Sequence, residues 1–596
     1  MEQLDELPKI LENIDNPFKI SAGPGAGKTT WLVSHIQNIL RNSNNLGKTQ
    51  KIGCITYTRI GADTVNKKVK KITNTNRLDI GTIHSFLYRN IIKPFSYLIE
   101  NEIDGTELFN IKELSGHIEN RLIWDRLRSW KSEIEKDNGK NYNYFNYADN
   151  RKSLISKLSS IDYTIDTKTS NIQITFRKSA SNYNVAIPTS NNELLKYKKA
   201  YWRKGIMHHE DVLYFTHFIF SNYPRIKDFI SNKFPYLFLD EFQDTNPLQT
   251  WIINEIAKKG TIVGVIGDPA QSIFEFAGAQ RKDFQNFTLP NIQNFKKSKN
   301  YRSSITIIDF LKELRDDIVQ IPKKTALKGE PIKVLVSTKE FAIKLVNELD
   351  SDDFAILCRW NKEVNQLKNG LKKVEGTNLI SQLYAEDSNH KRPTFIHSLI
   401  KAYDFNDSFE FKDAIKEITK HLHSSDLMNL EKRKFVIEII DYLKDNLNSS
   451  IENIYKYLQP KLKKHSVMIP GLKKAKSIHK KSFKDFIPFL SKQTKVSSKI
   501  RTIHQAKGDE FKNVLICLDD KTNKNGSVSK KLETILNDYI FKAKNNITLD
   551  TDIGEETRLI YVACSRAKER LFINIPRLSR EDEVKMIKLG MLIERK

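Results

Sequence analysis

Short runs of apolar residues, bounded by turn residues, alternate along the chain with longer stretches of helical spacing. Runs of this length predict strands buried on both faces, and helices between them predict a parallel sheet. The fold class is therefore expected to be α/β. The runs fall in three zones: 18–21, 52–56, 236–239 and 262–267, then 332–336 and 354–358, then 499–503, 514–518 and 571–575.

Two stretches of a different character interrupt these runs, one inside the first zone and one between the second and third zones. Both are rich in Lys, Asn, Glu and Leu at helical spacing, which predicts a mostly helical insertion in each of two α/β cores. Residues 171–188 break the helical spacing and predict a β-hairpin inside the first insertion. The expected domains are a first core of 1–90 and 206–298, a helical insertion of 91–205, a second core of 299–372 and 496–596, and a helical insertion of 373–495.

Composition and charge narrow the class of partner. The chain has 596 residues and a formal net charge of +26, which favours nucleic acid first and an anionic membrane surface second. Codon bias in the source is the alternative explanation of the charge. The four cysteines lack the spacing of a metal site or a disulfide framework. With no signal-peptide core and no run of about 18 apolar residues, we expect a cytoplasmic protein without a membrane span.

A glycine-rich turn follows the first predicted strand and precedes a predicted helix. Glycines in such a turn let backbone N–H groups surround phosphate oxygens, and the helix N-terminus adds its dipole. Lys28 can reach the terminal phosphates, and the Thr29 hydroxyl can bind Mg²⁺. The first position of the usual GxxxxGK[ST] pattern is Ala22 here. The predicted nucleotide-binding residues are Ala22, Gly23, Pro24, Gly25, Ala26, Gly27, Lys28, Thr29 and Thr30.

Two acidic residues follow the apolar run at 236–239. Asp240 can hold Mg²⁺, and Glu241 can orient or deprotonate an attacking water. Acidic residues are common at the ends of strands, so this pair alone is weak evidence. Together with a phosphate loop, it predicts hydrolysis of a nucleoside triphosphate.

The ordered motifs of the chain resemble those of the UvrD/PcrA/Rep group of superfamily 1 DNA helicases. DEFQDTNPLQ resembles motif II of that group, and the other motifs follow in the same order. The resemblance implies two RecA-like cores and covers them from end to end, but it says little about the insertions. The matching segments are CITYTRIGADTV, GTIHSF, EDVLYF, GDPAQSIFEFAGA, NYRSS, FAILCRWNKEVNQL, TIHQAKGDEFKNV and ETRLIYVACSRAKERL.

The resemblance also implies roles at the nucleotide, which would be ATP with Mg²⁺. Gln271 would sense the γ-phosphate, and Arg302 and Arg566 would act as arginine fingers that stabilise charge in the transition state. Tyr301 would stack on the base, and Glu510 would contact the ribose. The adenine-reading glutamine of the family has no clear counterpart, because Gln3 lies far from Lys28 in sequence.

In the same family, a single strand crosses both cores with its bases stacked on aromatic side chains. The matching positions are Tyr57, Phe274 and Phe276, and such stacking does not read sequence. Glu275 and Ala277 replace basic residues of the family, which predicts weaker local attraction for phosphate. The expected contacts to the nucleic-acid backbone are Thr58, Thr82, His84, Thr502 and His504.

These motifs predict an ATP-dependent translocase or helicase that acts on single-stranded or tailed duplex DNA, with a 3′-to-5′ polarity that only the family implies. The alternative is a DNA-stimulated regulatory ATPase that controls a partner nuclease, similar to the helicase-like subunit of the anti-phage system Gabija. A phosphate-loop protein without a nucleic-acid role would leave the other motifs unexplained. The choice between DNA and RNA stays open, because the sequence shows no reader of the 2′-hydroxyl.

Overall fold

Strands form at each of the nine apolar runs. The structure is a computed structural model that describes residues 2–4, 11, 13–70, 75–100, 124–139, 153–154, 157–166, 168–177, 190–203, 205–315, 317–348, 353–374, 379–387, 391–407, 411–419, 421, 430–464, 476–487, 499–518 and 552–595. In chain order the strands are β1 (Glu2–Gln3), β2 (Phe18–Ala22), β3 (Ile52–Thr56), β4 (Leu78–Thr82), β5 (Ile161–Ile165), β6 (Ile172–Phe176), β7 (Tyr236–Leu239), β8 (Ile262–Gly267), β9 (Gln293–Lys297), β10 (Lys299–Asn300), β11 (Ile321–Pro322), β12 (Lys333–Val336), β13 (Phe354–Cys358), β14 (Ile500–Thr502), β15 (Phe511–Cys517), β16 (Ala567–Ile575) and β17 (Leu592–Arg595).

The strands build two parallel sheets, which confirms the predicted α/β class with two cores. The first sheet has seven strands in the order β1-β9-β2-β8-β7-β3-β4, and the second has six in the order β14-β13-β15-β16-β12-β17. All neighbours in both sheets run parallel. Ligands bind such sheets beyond the carboxyl ends of the strands, so the loops at those ends are where a site is expected.

Helices cover both faces of each sheet and fill the two insertions. Separate hydrophobic clusters lie on the two faces of the first sheet and on the two faces of the second. The α-helices span Lys28–Asn42, Arg59–Lys70, Ile83–Leu87, Tyr97–Glu100, Trp124–Asn138, Asn191–Trp202, Asp211–Asn222, Arg225–Lys233, Pro247–Ala257, Arg281–Asn286, Ile305–Glu313, Lys339–Glu348, Asn361–Val374, Leu379–Glu386, Lys391–Asp407, Phe411–Thr419, Leu430–Asp445, Ile451–Lys464, Asp552–Cys564 and Arg580–Lys588.

Each insertion has an apolar core of its own. One cluster joins residues between 127 and 201, and another joins residues between 380 and 486. These clusters fit the predicted insertions, whose boundaries stay a prediction. None of the helices in the described ranges has the length and apolar character needed to cross a bilayer.

The predicted hairpin is tested only in part. Residues 172–176 form a strand, and among the described residues its antiparallel partner is the upstream strand β5, which the sequence did not predict. Asp162 and Thr164 interrupt the apolar pattern of β5, so the sequence does not predict that strand. The rest of the predicted hairpin, 178–188, lies outside the described residues.

Strands β4 and β9 were also missed, and both have mixed polarity. The sequence of β9 is QNFKK, and only Phe295 and Lys297 of its five residues are buried. It nevertheless pairs with β2 over its whole length. Its place in the sheet is set by these backbone hydrogen bonds, which leave no apolar pattern in the sequence.

Candidate functional site

The phosphate loop connects β2 to the helix Lys28–Asn42. Gly25 and Gly27 have φ angles of 68° and 70°, a region that other residues rarely adopt. A Cβ atom on Gly25 would lie 2.8 Å from Cβ of Arg302, so the loop also approaches its neighbour too closely for a side chain. Gly27 caps the helix without a side-chain hydrogen bond. The first backbone amides of the helix are therefore available for a phosphate.

Asp240 and Glu241 follow β7 and lie beside this loop. Thr29 Oγ1 donates a hydrogen bond to Asp240 Oδ2 at 3.1 Å, and Lys28 Nζ lies 3.8 Å from Glu241 Oε1. Burial, together with the neighbouring Glu241, raises the pKa of Asp240. Burial also opposes ionisation of Glu241, but Lys28 and Lys507 outweigh it and lower the pKa of that carboxyl. A buried carboxylate is stabilised by a cation, so Thr29 and Asp240 form an oxygen pair that fits Mg²⁺.

Two arginines face the loop from the other side. Arg566 Nη2 donates to Gln271 Oε1 at 2.7 Å. Arg302 Nε pairs with Glu510 Oε2 at 2.8 Å, and its Nη1 donates to the carbonyl of Ser565 at 2.8 Å. Burial, followed by repulsion from Arg302, lowers the pKa of Arg566. Because an anion between two guanidinium groups relieves their repulsion, this end of the site suits a multiply charged phosphate.

The loop, the acid pair and both arginines line one cavity of about 980 Å³. Ala22 and Gly23 are not among its lining residues. Ala22 ends β2, and the Gly23 amide donates to the carbonyl of Lys297 at 3.1 Å. Tyr57 and Thr58, predicted as nucleic-acid contacts, do line it. The predicted nucleotide residues in the lining are Pro24, Gly25, Ala26, Gly27, Lys28, Thr29, Thr30, Asp240, Glu241, Gln271, Tyr301, Arg302, Glu510 and Arg566.

The predicted aromatic contacts gather in one cluster. The rings of Tyr57 and Phe274 stack with centroids 4.6 Å apart, and those of Phe274 and Phe276 are 5.9 Å apart. His504 lies against both phenylalanines, at 5.8 and 5.1 Å. Phe276 keeps 41% of its surface exposed. Four residues from three distant motifs therefore present one aromatic surface with an exposed ring.

The other predicted nucleic-acid contacts have local structural partners. The Thr58 hydroxyl accepts from the Gly61 amide at 3.0 Å, and the Thr82 hydroxyl accepts from Ser85 at the start of a helix. Thr502 accepts from the Gln505 amide at 3.3 Å. The ring of His84 stacks on His209 with centroids 3.8 Å apart. These contacts explain how the side chains are held, and their role toward nucleic acid stays a prediction.

Two family models match the chain. The model described as UvrD/REP helicase N-terminal domain matches residues 5–292, and the model described as UvrD-like helicase C-terminal domain matches residues 488–577. The chain belongs to the UvrD-like helicase family. This UvrD-like helicase is therefore an enzyme. The match confirms the family predicted from the ordered motifs.

Individual relatives are similar over most of the chain at modest identity. A protein named ATP-dependent DNA helicase Rep, from Buchnera aphidicola, is 24% identical over 94% of this chain and 93% of its own length. A probable DNA helicase II homologue from Mycoplasma capricolum is 22% identical over 95% and 83%. A protein named ATP-dependent DNA helicase PcrA, from Staphylococcus aureus, is 22% identical over 76% and 57%.

Several charged residues at the site of this UvrD-like helicase escaped the sequence prediction. Lys507 is buried, pairs with Asp244 and donates to the carbonyl of Gln271 at 2.7 Å. Glu275, predicted to weaken phosphate attraction, forms an ion pair with the buried Arg558. The motif containing Lys507 was recognised, but its partner lies 263 positions away in sequence. The spacing of residues within a motif does not predict an ion pair with a residue so far away in sequence.

The acidic motif at 210–215 belongs to the scaffold. Ligand atoms of His208, Glu210 and Asp211 lie within 4.8 Å of one another, a spacing that could suit a metal ion. The ammonium of Lys198 already pairs with both carboxylates. Asp211 also accepts hydrogen bonds from Trp202 and from the His208 amide. The cation in this cluster is therefore supplied by the protein itself.

Proposed function

We propose that this UvrD-like helicase hydrolyses ATP to translocate along single-stranded DNA and to unwind tailed duplexes in the 3′-to-5′ direction. One observation supports the motor most directly. The phosphate loop and acid pair face Arg302 and Arg566 across a single cavity. Arg566 directly precedes β16 of the second sheet, and Arg302 donates to the carbonyl of the adjacent Ser565. A phosphate bound at the loop would therefore draw the two cores together.

The proposed nucleotide chemistry assigns each side chain a task. Lys28 neutralises the terminal phosphates, and Glu241 orients the attacking water. Thr29 and Asp240 would hold Mg²⁺, which would supply positive charge to the phosphate oxygens. Gln271, held by Arg566, contacts the γ-phosphate. The two guanidinium groups stabilise the charge that develops in the transition state.

The proposed DNA track passes over the aromatic surface of Tyr57, Phe274, Phe276 and His504. A ring that is still exposed after it has packed against its neighbours can stack on a base without reading sequence. The net charge of +26 supports a polyanionic partner. The polarity rests on the family alone. A cytoplasmic location, with access to DNA and ATP, is part of the same proposal.

The test measures ATP hydrolysis with and without single-stranded DNA, followed by strand displacement on duplexes with a 3′ or a 5′ tail. We expect DNA to stimulate hydrolysis and a 3′ tail to be required for unwinding. Lys28→Ala should abolish both, because the phosphates lose their main cation. A wild-type protein that binds DNA without any stimulation of hydrolysis would contradict the proposal. If RNA stimulated hydrolysis and DNA did not, the substrate would be RNA.

The regulatory alternative predicts a different result in the same assays. A DNA-stimulated ATPase that controls a partner nuclease would hydrolyse ATP but would leave tailed duplexes intact. The names of the relatives give no support to an anti-phage role, so motor activity is the first choice. Co-purification of the products of its native operon, followed by size-exclusion chromatography, distinguishes the two. A free monomer that unwinds DNA excludes the need for a partner.

A further inference from the structure

A fully buried arginine, Arg315, lies where the two cores meet. It follows the helix Ile305–Glu313, and its side chain has no exposed surface. Its guanidinium pairs with Asp268, which belongs to the first core and is equally buried. Removing two charges from water is costly, and a buried ion pair is therefore weak evidence for a purely stabilising role. The position of Arg315 between the two cores points to a role in holding residues of the nucleotide cavity.

The guanidinium of Arg315 uses its donors on both cores. Nη1 donates to Asp268 Oδ1 at 2.8 Å and to the Tyr561 hydroxyl at 3.1 Å. Nε and Nη2 donate to the two oxygens of Asp317, each at 2.6 Å. Asp317 and Tyr561 belong to the second core. Arg315 therefore connects Asp268 to two anchors on the opposite side of the cleft.

From Asp268 the network continues into the nucleotide cavity. The other oxygen of Asp268, Oδ2, accepts from Gln271 Nε2 at 2.6 Å. Gln271 Oε1 in turn accepts from Arg566 Nη2 at 2.7 Å. Both ends of the Gln271 amide are thus held, one through Asp268 and Arg315 and the other by Arg566.

A second branch leads from Arg315 toward the other arginine. The Tyr561 hydroxyl also accepts from Gln320 Nε2 at 3.0 Å, and Gln320 Oε1 accepts from Asn300 Nδ2 at 2.7 Å. Asn300 Oδ1 accepts the backbone amide of Arg302 at 2.8 Å. The backbone that carries Arg302 is therefore joined to the same buried guanidinium that holds Gln271.

We propose that Arg315 is a positioning residue for ATP hydrolysis: it holds Gln271 through Asp268 and the Arg302 backbone through Tyr561. This inference rests on the proposed ATPase activity. Hydrogen-bonded networks in a buried environment fix geometry closely, and small displacements of transition-state groups lower rates steeply. Nucleotide binding depends on the phosphate loop, so loss of Arg315 should affect turnover more than affinity.

The experiment compares Arg315→Gln with Arg315→Lys in DNA-stimulated ATP hydrolysis, using oligothymidine as the DNA. We expect Arg315→Gln to lower kcat at least about tenfold while KM for ATP and the affinity for a fluorescent ADP change less than about threefold. Arg315→Lys should recover part of kcat, because its ammonium can still pair with Asp268. Tyr561→Phe, which removes only the hydroxyl of the second branch, should lower kcat a few-fold.

Two controls separate positioning from stability. Asp317→Asn weakens an anchor but leaves the Asp268 contact, and we expect kcat within about threefold of wild type. Arg570→Gln removes an exposed ion pair with Glu330 and should leave kcat unchanged. If Arg315→Gln fails to fold, the double variant Asp268→Asn/Arg315→Gln removes the stranded buried carboxylate and should fold with low kcat.

The outcomes that would overturn the inference are distinct from failure of the proposed function. Folded Arg315→Gln or double variant with wild-type kcat would exclude a positioning role. Equal losses in Arg315→Gln and Asp317→Asn would show that the network only stabilises its loop. If the wild type itself shows no DNA-stimulated hydrolysis, the proposed function fails first.

Discussion

Arg302 and Arg566 occupy one end of the nucleotide cavity but have different surroundings. Arg566 is buried against Gln271, whereas Arg302 pairs with Glu510, whose side chain is 45% exposed. Burial opposes ionisation of Glu510, but Arg302 and Lys568 lower the pKa of that carboxyl to about 2. If Glu510 contacts the ribose as the family implies, its present bond to Arg302 must rearrange or be shared when nucleotide binds.

The substitution Arg566→Lys tests whether the buried guanidinium of Arg566 acts in hydrolysis. A lysine ammonium lacks the planar fork that can donate to Gln271 and to a phosphate together. We expect kcat for DNA-stimulated ATP hydrolysis to fall on the order of 10³-fold, with little change in fluorescent-ADP affinity. Arg570→Lys, in an exposed pair, is the matched control. Turnover at the wild-type rate in Arg566→Lys would remove this residue from the catalytic set.

At the level of single helices and strands, the short helix Arg281–Asn286 contains a carboxylate that is partly buried. Asp283 lies in its first turn near Thr250, partly buried. Burial raises the pKa of Asp283 to about 6. Between about pH 4, where an unfolded aspartate titrates, and pH 6, the folded protein keeps a proton that the unfolded chain has released. The free energy of unfolding therefore falls as pH rises through this window.

Asp283→Asn should remove this pH dependence. The neutral amide avoids the cost of a buried charge, so we expect the variant to exceed the wild type in stability by about 1 kcal/mol at pH 8. The difference should vanish near pH 4, where the wild-type carboxyl is protonated. Thermal unfolding at both pH values measures this, with the exposed Asp309→Asn as control. A constant difference at the two pH values would argue against the raised pKa.

Across the whole molecule, charges of opposite sign meet where the cores face each other. Acids of the first core pair with cations of the second, and none of these cations was assigned from the sequence. Since each pair is largely or fully buried, breaking one partner strands the other. The arrangement gives the two cores a defined relative position. The pairs are Asp244 with Lys507, Asp268 with Arg315, and Glu275 with Arg558.

The proposed DNA track also depends on the whole molecule, because His504 of the second core completes the aromatic surface of the first. Phe276→Ala should weaken binding of oligothymidine by about 1–3 kcal/mol, since one stacking ring is lost. The slope of log affinity against log salt should stay unchanged, because no phosphate contact is removed. Fluorescence anisotropy at several salt concentrations measures both.

Phe411→Ala is the matched control for the stacking prediction. Phe411 is exposed on a helix of the second insertion and is not one of the four residues of the aromatic surface. Its substitution should change neither the affinity nor the salt slope. An affinity loss for Phe276→Ala no larger than that for Phe411→Ala would contradict base stacking at this site.

Both parallel cores and most residues around the nucleotide cavity could be predicted from the amino-acid sequence. A buried strand or a phosphate loop is formed by residues that are adjacent in sequence. The apolar runs and the segment from Gly23 to Thr30 could therefore be recognised directly. The ordered motifs extended this to Gln271, Arg302 and Arg566. Polar strands such as β9 were missed because backbone pairing, rather than apolar side chains, places them.

The pairing of charges that are distant in sequence could be learned only from the folded chain. Arg558 and Glu275 are 283 positions apart, and Arg315 finds Asp268 across the cleft between the cores. The antiparallel partner of β6 and the packing of Tyr57 against Phe274 were set in the same way. Long-range contacts depend on how whole sheets are placed against each other, and a local pattern of residues carries no record of that placement.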